Sequence, residues 1–176
     1  MELEGKSVLI LAEQLYNEYE FIYPYYRLQE AGARVTVVGA NKGDSYKGKY
    51  GMPLTAAAGA AEIEAADHDA VVIPGGYAPD HMRRHESMVA LVRDMHAAGK
   101  VVAAICHAGW MLASAGILKG KVVTSFFAIR DDLTHAGAEW VDRDVVSDGK
   151  LVTSRTPDDL PAFLRAIIDA VGQGSG

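Results

Sequence analysis

Cysteine is nearly absent from this chain: Cys106 is the one thiol in 176 residues. That excludes an intrachain disulfide framework. It also excludes zinc knuckles and iron–sulfur clusters, which draw two or more thiolates from one chain. No stretch approaches the ~18–20 consecutive apolar residues of a membrane span. Positive charge is not in excess: 17 Lys and Arg against 23 Asp and Glu leave a formal charge of -6 and a pI near 5.5, with no electrostatic footprint for nucleic acid. The opening Met1-Glu2-Leu3-Glu4-Gly5-Lys6 is acidic and polar, unlike the basic, then apolar, start of a secretory signal. With a free thiol, this predicts a cytosolic protein. Repeats, charge blocks and long linkers are lacking too; residues 172–176 alone read as a flexible tail.

What is present is average for a globular chain, at 49% hydrophobic and 23% charged residues. Its length suits one domain, placed at 1–171. Short apolar runs alternate with helical patterns. Ser7 to Leu11, Arg34 to Gly39, Ala70 to Ile73, Val101 to Ile105 and Val122 to Thr124 read as strands. Helices are expected over Glu20 to Ala31, Ser87 to Ala98 and Ala108 to Ala115, with a shorter piece opening at Pro79. Pro24 should sit in the first turns of its helix or kink it. Asn41 to Thr55 reads as a loop with a short hairpin or strand extension, and Val145 to Thr153 as a hairpin with an Asp-Gly turn. Thr156 is the expected N-cap of the last helix, with Pro157 at its first position. The alternation predicts an α/β three-layer sandwich, a mostly parallel sheet with helices on both faces.

In such sheets ligands sit at the carboxyl ends of strands, near a switch in strand order. Two places qualify: Pro74-Gly75-Gly76 and Cys106-His107. Cys106 ends a strand just before a helix, with Gly109 three residues on, the pattern of a nucleophile elbow. A helix N-terminus there would favour the thiolate, the reactive form. The His107 N–H would supply half of an oxyanion hole, and Gly75 and Gly76 could bring the second donor close. The bland alternative is a small, inert, buried hydrophobe, the usual fate of a free Cys.

Ala104-Ile105-Cys106-His107-Ala108-Gly109 resembles the cysteine elbow of the PfpI/ThiJ superfamily. This group holds PfpI-type intracellular peptidases, general stress proteins and the parkinsonism-associated protein deglycase. Val72 to Asp80 is similar to its glycine loop, and Ile22 to Leu28 to the first helix of the PfpI branch. Ile129 to Leu133 and Ala136 to Asp142 resemble later segments, so the likeness spans nearly the whole chain. It implies a flavodoxin-like fold shared with class I glutamine amidotransferases, no cofactor and no metal. It implies Cys106 as nucleophile, His107 as its base, and Asp80 from a neighbouring subunit as the acid that orients His107. At least a homodimer is then expected, acting on a small carbonyl or peptide substrate. Two positions depart from the family pattern. Asn17 falls where relatives place a Glu against the sulfur, with Glu13, Glu18 and Glu20 nearby but out of register, and Phe126 falls where they often carry Tyr or His. Both departures predict weakened acid–base chemistry.

Other candidates weigh less. His81 and His85 stand at i, i+4, but Arg83 and Arg84 lie between them, which favours a solvated face over a metal site. The glycines after Gly39 lack the Lys-Ser/Thr of a phosphate loop. His135 is followed by Ala136-Gly137, not by the acid that amidotransfer needs. Tyr16, Tyr19, Tyr23, Tyr25 and Tyr26 read as a half-buried helix face or a subunit interface. Three functions follow in order: a stress-response protein with an oxidation-prone Cys106 and weak or no hydrolase activity, a working cysteine hydrolase or deglycase, and a non-catalytic chaperone-like module.

Overall fold

The computed structural model describes residues 1–173. The chain opens with β1 (Ser7–Leu11), α1 (Glu18–Glu30) and β2 (Arg34–Gly39). A small hairpin follows, β3 (Ser45–Lys47) with β4 (Pro53–Thr55), and then β5 (Ala58–Gly59). Next come β6 (Ala70–Ile73), α2 (Ala78–Met82), α3 (Glu86–Ala97), β7 (Val101–Ile105) and α4 (Gly109–Ser114). The last third holds β8 (Val122–Val123), α5 (Arg130–His135), β9 (Glu139–Trp140), β10 (Val145–Asp148), β11 (Leu151–Ser154) and α6 (Leu160–Gly172).

Seven strands form the central sheet in the order β10-β11-β7-β6-β1-β2-β5. All neighbours pair in parallel except β10, which runs antiparallel to β11. Every residue of β1, β6 and β7 is buried, because helices cover both faces and leave no position for a polar alternation. Helices α1 and α6 pack together, while α2 to α5 form a second group. The strand order reverses beside β1: the chain leaves it for β2 on one side and returns at β6 on the other. The carboxyl ends of β1, β6 and β7 therefore meet at a switch point, where such sheets bind ligands.

Several local expectations shift. Helix α1 begins at Glu18 because Asn17 caps it, accepting the N–H groups of Tyr19 at 3.0 Å and Glu20 at 3.4 Å. Pro24 lies in the second turn, and its missing N–H leaves the Glu20 carbonyl without its helical donor. Thr124 is not part of a strand, and β8 pairs with β9 in a separate two-stranded sheet. Side chains of the β10–β11 hairpin take the place of a ladder there: Asp148 accepts the Val122 N–H and Thr153 Oγ1 accepts the Thr124 N–H, both at 2.9 Å. Thr156 makes no side-chain cap; a 3-10 turn over Pro157–Asp159 precedes α6, held by Arg155 donating to Asp159 at 2.9 and 3.0 Å. Gly172 closes α6 and Gln173 caps it, so the expected tail begins as helix end; its other three positions lie outside the described residues. Among the described residues no helix is long and apolar enough to cross a membrane.

Candidate active site

Strand β7 runs straight into Cys106, whose φ of 63° is left-handed, a conformation that strains a non-glycine residue. A 3-10 turn over Cys106–Ala108 then leads into α4. Gly109 lets α4 pack closely on α5, since a Cβ there would come within 2.9 Å of the Leu133 side chain. The left-handed turn at Cys106 directs its side chain back over the end of the sheet. Its Sγ lies 3.2 Å from His107 Nδ1, and the backbone N–H groups of His107 and Gly76 hydrogen-bond to the sulfur.

The carboxyl group beside the sulfur is Glu20. It is fully buried, its Oε2 accepts the Gly75 N–H at 2.7 Å, and it stands within hydrogen-bonding reach of the Cys106 thiol. Its Oε1 is buried without a hydrogen-bond partner among the described residues. Glu20 occupies the third position of α1, where a capping-box glutamate would reach back to the N–H of Asn17. That N–H instead donates to the Gly75 carbonyl at 3.2 Å, which leaves Glu20 to turn inward. The approach is tight: a Cβ on Gly75 would lie 2.6 Å from Glu20 Oε2 and 2.8 Å from Cys106 Cβ.

Burial dominates the electrostatics. It raises Glu20 to about 7, against the Gly75 N–H, the thiol and Lys49, which all pull it down. It pushes the Cys106 thiol up to about 12, with ionised Glu20 adding to the rise and the N–H groups of His107 and Gly76 opposing it. Burial, aided by Lys49, lowers His107, so its ring is neutral near pH 7. The expectation of a thiolate held by a helix N-terminus is thus corrected: two N–H groups do not offset desolvation beside a carboxyl. The resting site holds a thiol, a carboxyl that is about half protonated near pH 7, and a neutral imidazole able to accept the thiol proton.

The structure corrects two further assignments. Asn17 lines the pocket but spends its side chain on capping α1, so it is not the sulfur's neighbour. Gly75 gives its N–H to Glu20, so the donor from the glycine loop is Gly76, at a φ of 75°. Phe126 does line the pocket; its ring packs on His107 at 4.9 Å, and Trp110 meets the imidazole edge-on at 5.2 Å. Asp80 sits on α2, ion-paired with Arg84. His81 belongs to α2, while His85 caps α3 and pairs with buried Glu13 at 3.1 Å, so the two do not share a helix. Among the described residues no group of three His, Cys, Asp or Glu is placed to hold a metal ion. The tyrosines divide: Tyr16 is buried with its hydroxyl on the Met52 carbonyl, Tyr25 is half-buried, and Tyr19, Tyr23 and Tyr26 are exposed.

The pocket has a volume of about 480 Å³. Sequence reasoning missed Lys49 and Tyr50, which line it from the β3–β4 loop, and Thr156 and Pro157 from the approach to α6. It also set Glu20 aside with the other acids near Asn17, although Asn17 with Glu20 three residues later is the spacing of a capping box.

Comparison with known proteins agrees with this architecture. Residues 6–170 match the DJ-1/PfpI family. The chain is 43% identical over 162 residues to deglycase PfpI of Pyrococcus furiosus, covering 92% of this chain and 97% of that one. It is 38% identical over 163 residues to general stress protein 18 of Bacillus subtilis, covering 92% and 95% respectively. A solved two-domain protein from Anabaena variabilis, with DJ-1/ThiJ/PfpI-like and ferritin-like domains, superposes with a TM-score of 0.94 at 44% identity. That match covers 97% of this chain and 49% of the Anabaena chain, about half its length.

Proposed function

This chain belongs to the DJ-1/PfpI family, and from that premise we propose that it is a stress-associated, cysteine-dependent deglycase acting on reactive carbonyls and their adducts. The observation that carries the reading is the grouping at the elbow: the Cys106 sulfur, His107 Nδ1 at 3.2 Å, buried Glu20, and the N–H groups of Gly76 and His107. The sulfur adds to the carbonyl carbon as its proton passes to His107. The carbonyl π electrons become an oxyanion, which backbone N–H groups aimed into the site can hold. Glu20, raised to about 7, has the affinity to take and return a proton at the adjoining carbon near neutral pH. The expectation of weak activity rested on Asn17 and Phe126. Phe126 still brings no polar atom to the pocket, but with Glu20 at the sulfur the first ground is removed, and we read the site as competent through Glu20 and His107.

His107 offers its second ring nitrogen to an acid from outside, because no described residue hydrogen-bonds to it. A neighbouring copy's Asp80 is our candidate, which makes self-association part of the proposal. The oxidation-sensor reading ranks second, because a raised thiol disfavours the standing thiolate that peroxide would oxidise, whereas carbonyl addition hands the thiol proton to His107 in the same step. The test is turnover of methylglyoxal and its thiol adducts by wild type, Cys106→Ser and Glu20→Gln. Robust turnover lost in Cys106→Ser and reduced by 10²-fold or more in Glu20→Gln is expected. Turnover that survives Cys106→Ser, or none in wild type, overturns the proposal.

A further inference from the structure

Lys49 is the one lysine or arginine that lines the Cys106 pocket. Among the described residues the lysine side chains in ion pairs are Lys6 and Lys121, so the Lys49 ammonium has no carboxylate partner. Its neighbour is the Tyr50 ring, with Nζ 5.3 Å from the centroid, a cation–π contact that restrains the side chain while leaving its N–H donors unused. The Tyr50 ring in turn meets Tyr19 edge-on at 6.1 Å.

The loop carrying Lys49 is fastened at several points. The Lys49 N–H donates to the Tyr16 carbonyl at 2.9 Å, and the Tyr16 hydroxyl donates to the Met52 carbonyl at 2.7 Å. Buried Glu18 accepts from the Tyr50 N–H at 2.8 Å and the Met52 N–H at 3.3 Å. Gly48 permits this closeness, since a Cβ there would fall 2.1 Å from Glu18 Oε1. A buried carboxylate and a buried tyrosine thus hold an exposed lysine in the wall of the Cys106 pocket. The charge reaches both reacting groups, pulling down Glu20 and His107.

We propose that Lys49 reads an anionic group on the substrate, so that carbonyl adducts whose carrier bears a carboxylate near the reacting carbon are selected over neutral ones. The inference deepens the reading of this pocket as a Cys106 carbonyl site and rests on it. Most of the remaining lining, Leu15, Tyr77, Phe126 and Pro157 among it, offers no compensating charge. Glu20, the one acid there, is fully buried and half protonated near pH 7, so it opposes an incoming carboxylate weakly. The chain as a whole carries -6, so attraction for an anion has to be built locally.

Iodoacetate and iodoacetamide differ by one carboxylate, and both alkylate a thiol by forming an S–C bond and expelling iodide. Cys106 is the sole thiol, so the modification rate reports this pocket alone. Lys49→Met should lower the iodoacetate-to-iodoacetamide rate ratio by about tenfold, the scale of one charge-assisted contact. Lys49→Arg should keep the ratio near wild type, and so should Lys47→Met, an exposed neighbour outside the pocket. An unchanged ratio in Lys49→Met, or an equal fall in Lys47→Met, overturns the proposal. In turnover, Lys49→Met should raise KM about tenfold for the methylglyoxal adduct of mercaptoacetate and less than twofold for that of 2-mercaptoethanol. Equal changes overturn it. Alkylation needs no turnover, so an inactive wild type would refute the proposed function while the rate ratio still judges Lys49.

Discussion

Glu20 makes stability depend on pH in a calculable way. A carboxyl raised from 4.5 to about 7 binds its proton more tightly in the folded chain than in the unfolded one. Its contribution is therefore fully present below about pH 4.5 and is lost as pH rises through about 7. Integrating the two titrations gives a loss of about 2.5 kcal/mol between pH 5 and pH 8, the order of magnitude expected of a fully buried acid. Glu20→Gln removes the titration but keeps an oxygen to accept the Gly75 N–H. The variant and wild type should then differ least near pH 5. By pH 8 the variant should have gained about 2.5 kcal/mol relative to wild type, or roughly 5–10 °C in Tm for a chain of this size. Urea melts of both proteins across this range measure the gap directly, because titrating groups not coupled to Glu20 cancel in the difference and the coupled Cys106 thiol, raised to about 12, stays protonated through pH 8. Parallel stability curves would refute the account, for they would mean that Glu20 is not held protonated by burial at the sulfur.

Gly75→Ala should cost about 1–3 kcal/mol and at least tenfold in turnover, since the new Cβ meets Glu20 Oε2, Cys106 Cβ and the Ile105 carbonyl at 2.6–2.9 Å. Urea melts and steady-state rates check both, and an unaffected variant would show that the approach of Glu20 to the elbow is not constrained. Asn17→Ala should lose about 1 kcal/mol with the cap of α1, and Asn17→Asp should retain most of it. Asn17→Glu should bring no gain in turnover, because Glu20 already fills the carboxyl position; a clear gain would put the acid at residue 17 after all.

The apolar runs of β1, β6 and β7 were legible because strands buried on both faces carry no polar residues. Cys106 was legible because a strand end, a His and a Gly in sequence mark an elbow. The hairpin over 145–153 could be read from Asp148-Gly149, with Gly149 at a φ of 62°. These signals are local, and sequence neighbours suffice to produce them. The identity of the sulfur's neighbour is not local. Asn17 and Glu20 are both polar residues at the start of one helix, and the choice between them turns on where the Gly75 peptide lies. Its carbonyl takes the Asn17 N–H and its N–H takes Glu20, so a segment more than fifty residues away decides which side chain faces inward. Lys49 and Pro157 belong to the site for the same reason: contacts distant in sequence bring the β3–β4 loop and the stretch after β11 to the end of the parallel sheet. Protonation is decided there too, because desolvation exists only once the walls have closed. The sequence alone determined that one thiol stands at an elbow of an α/β sheet. Tertiary packing alone decided that this thiol rests protonated beside a buried glutamate, in a pocket lined by a lysine without a carboxylate partner.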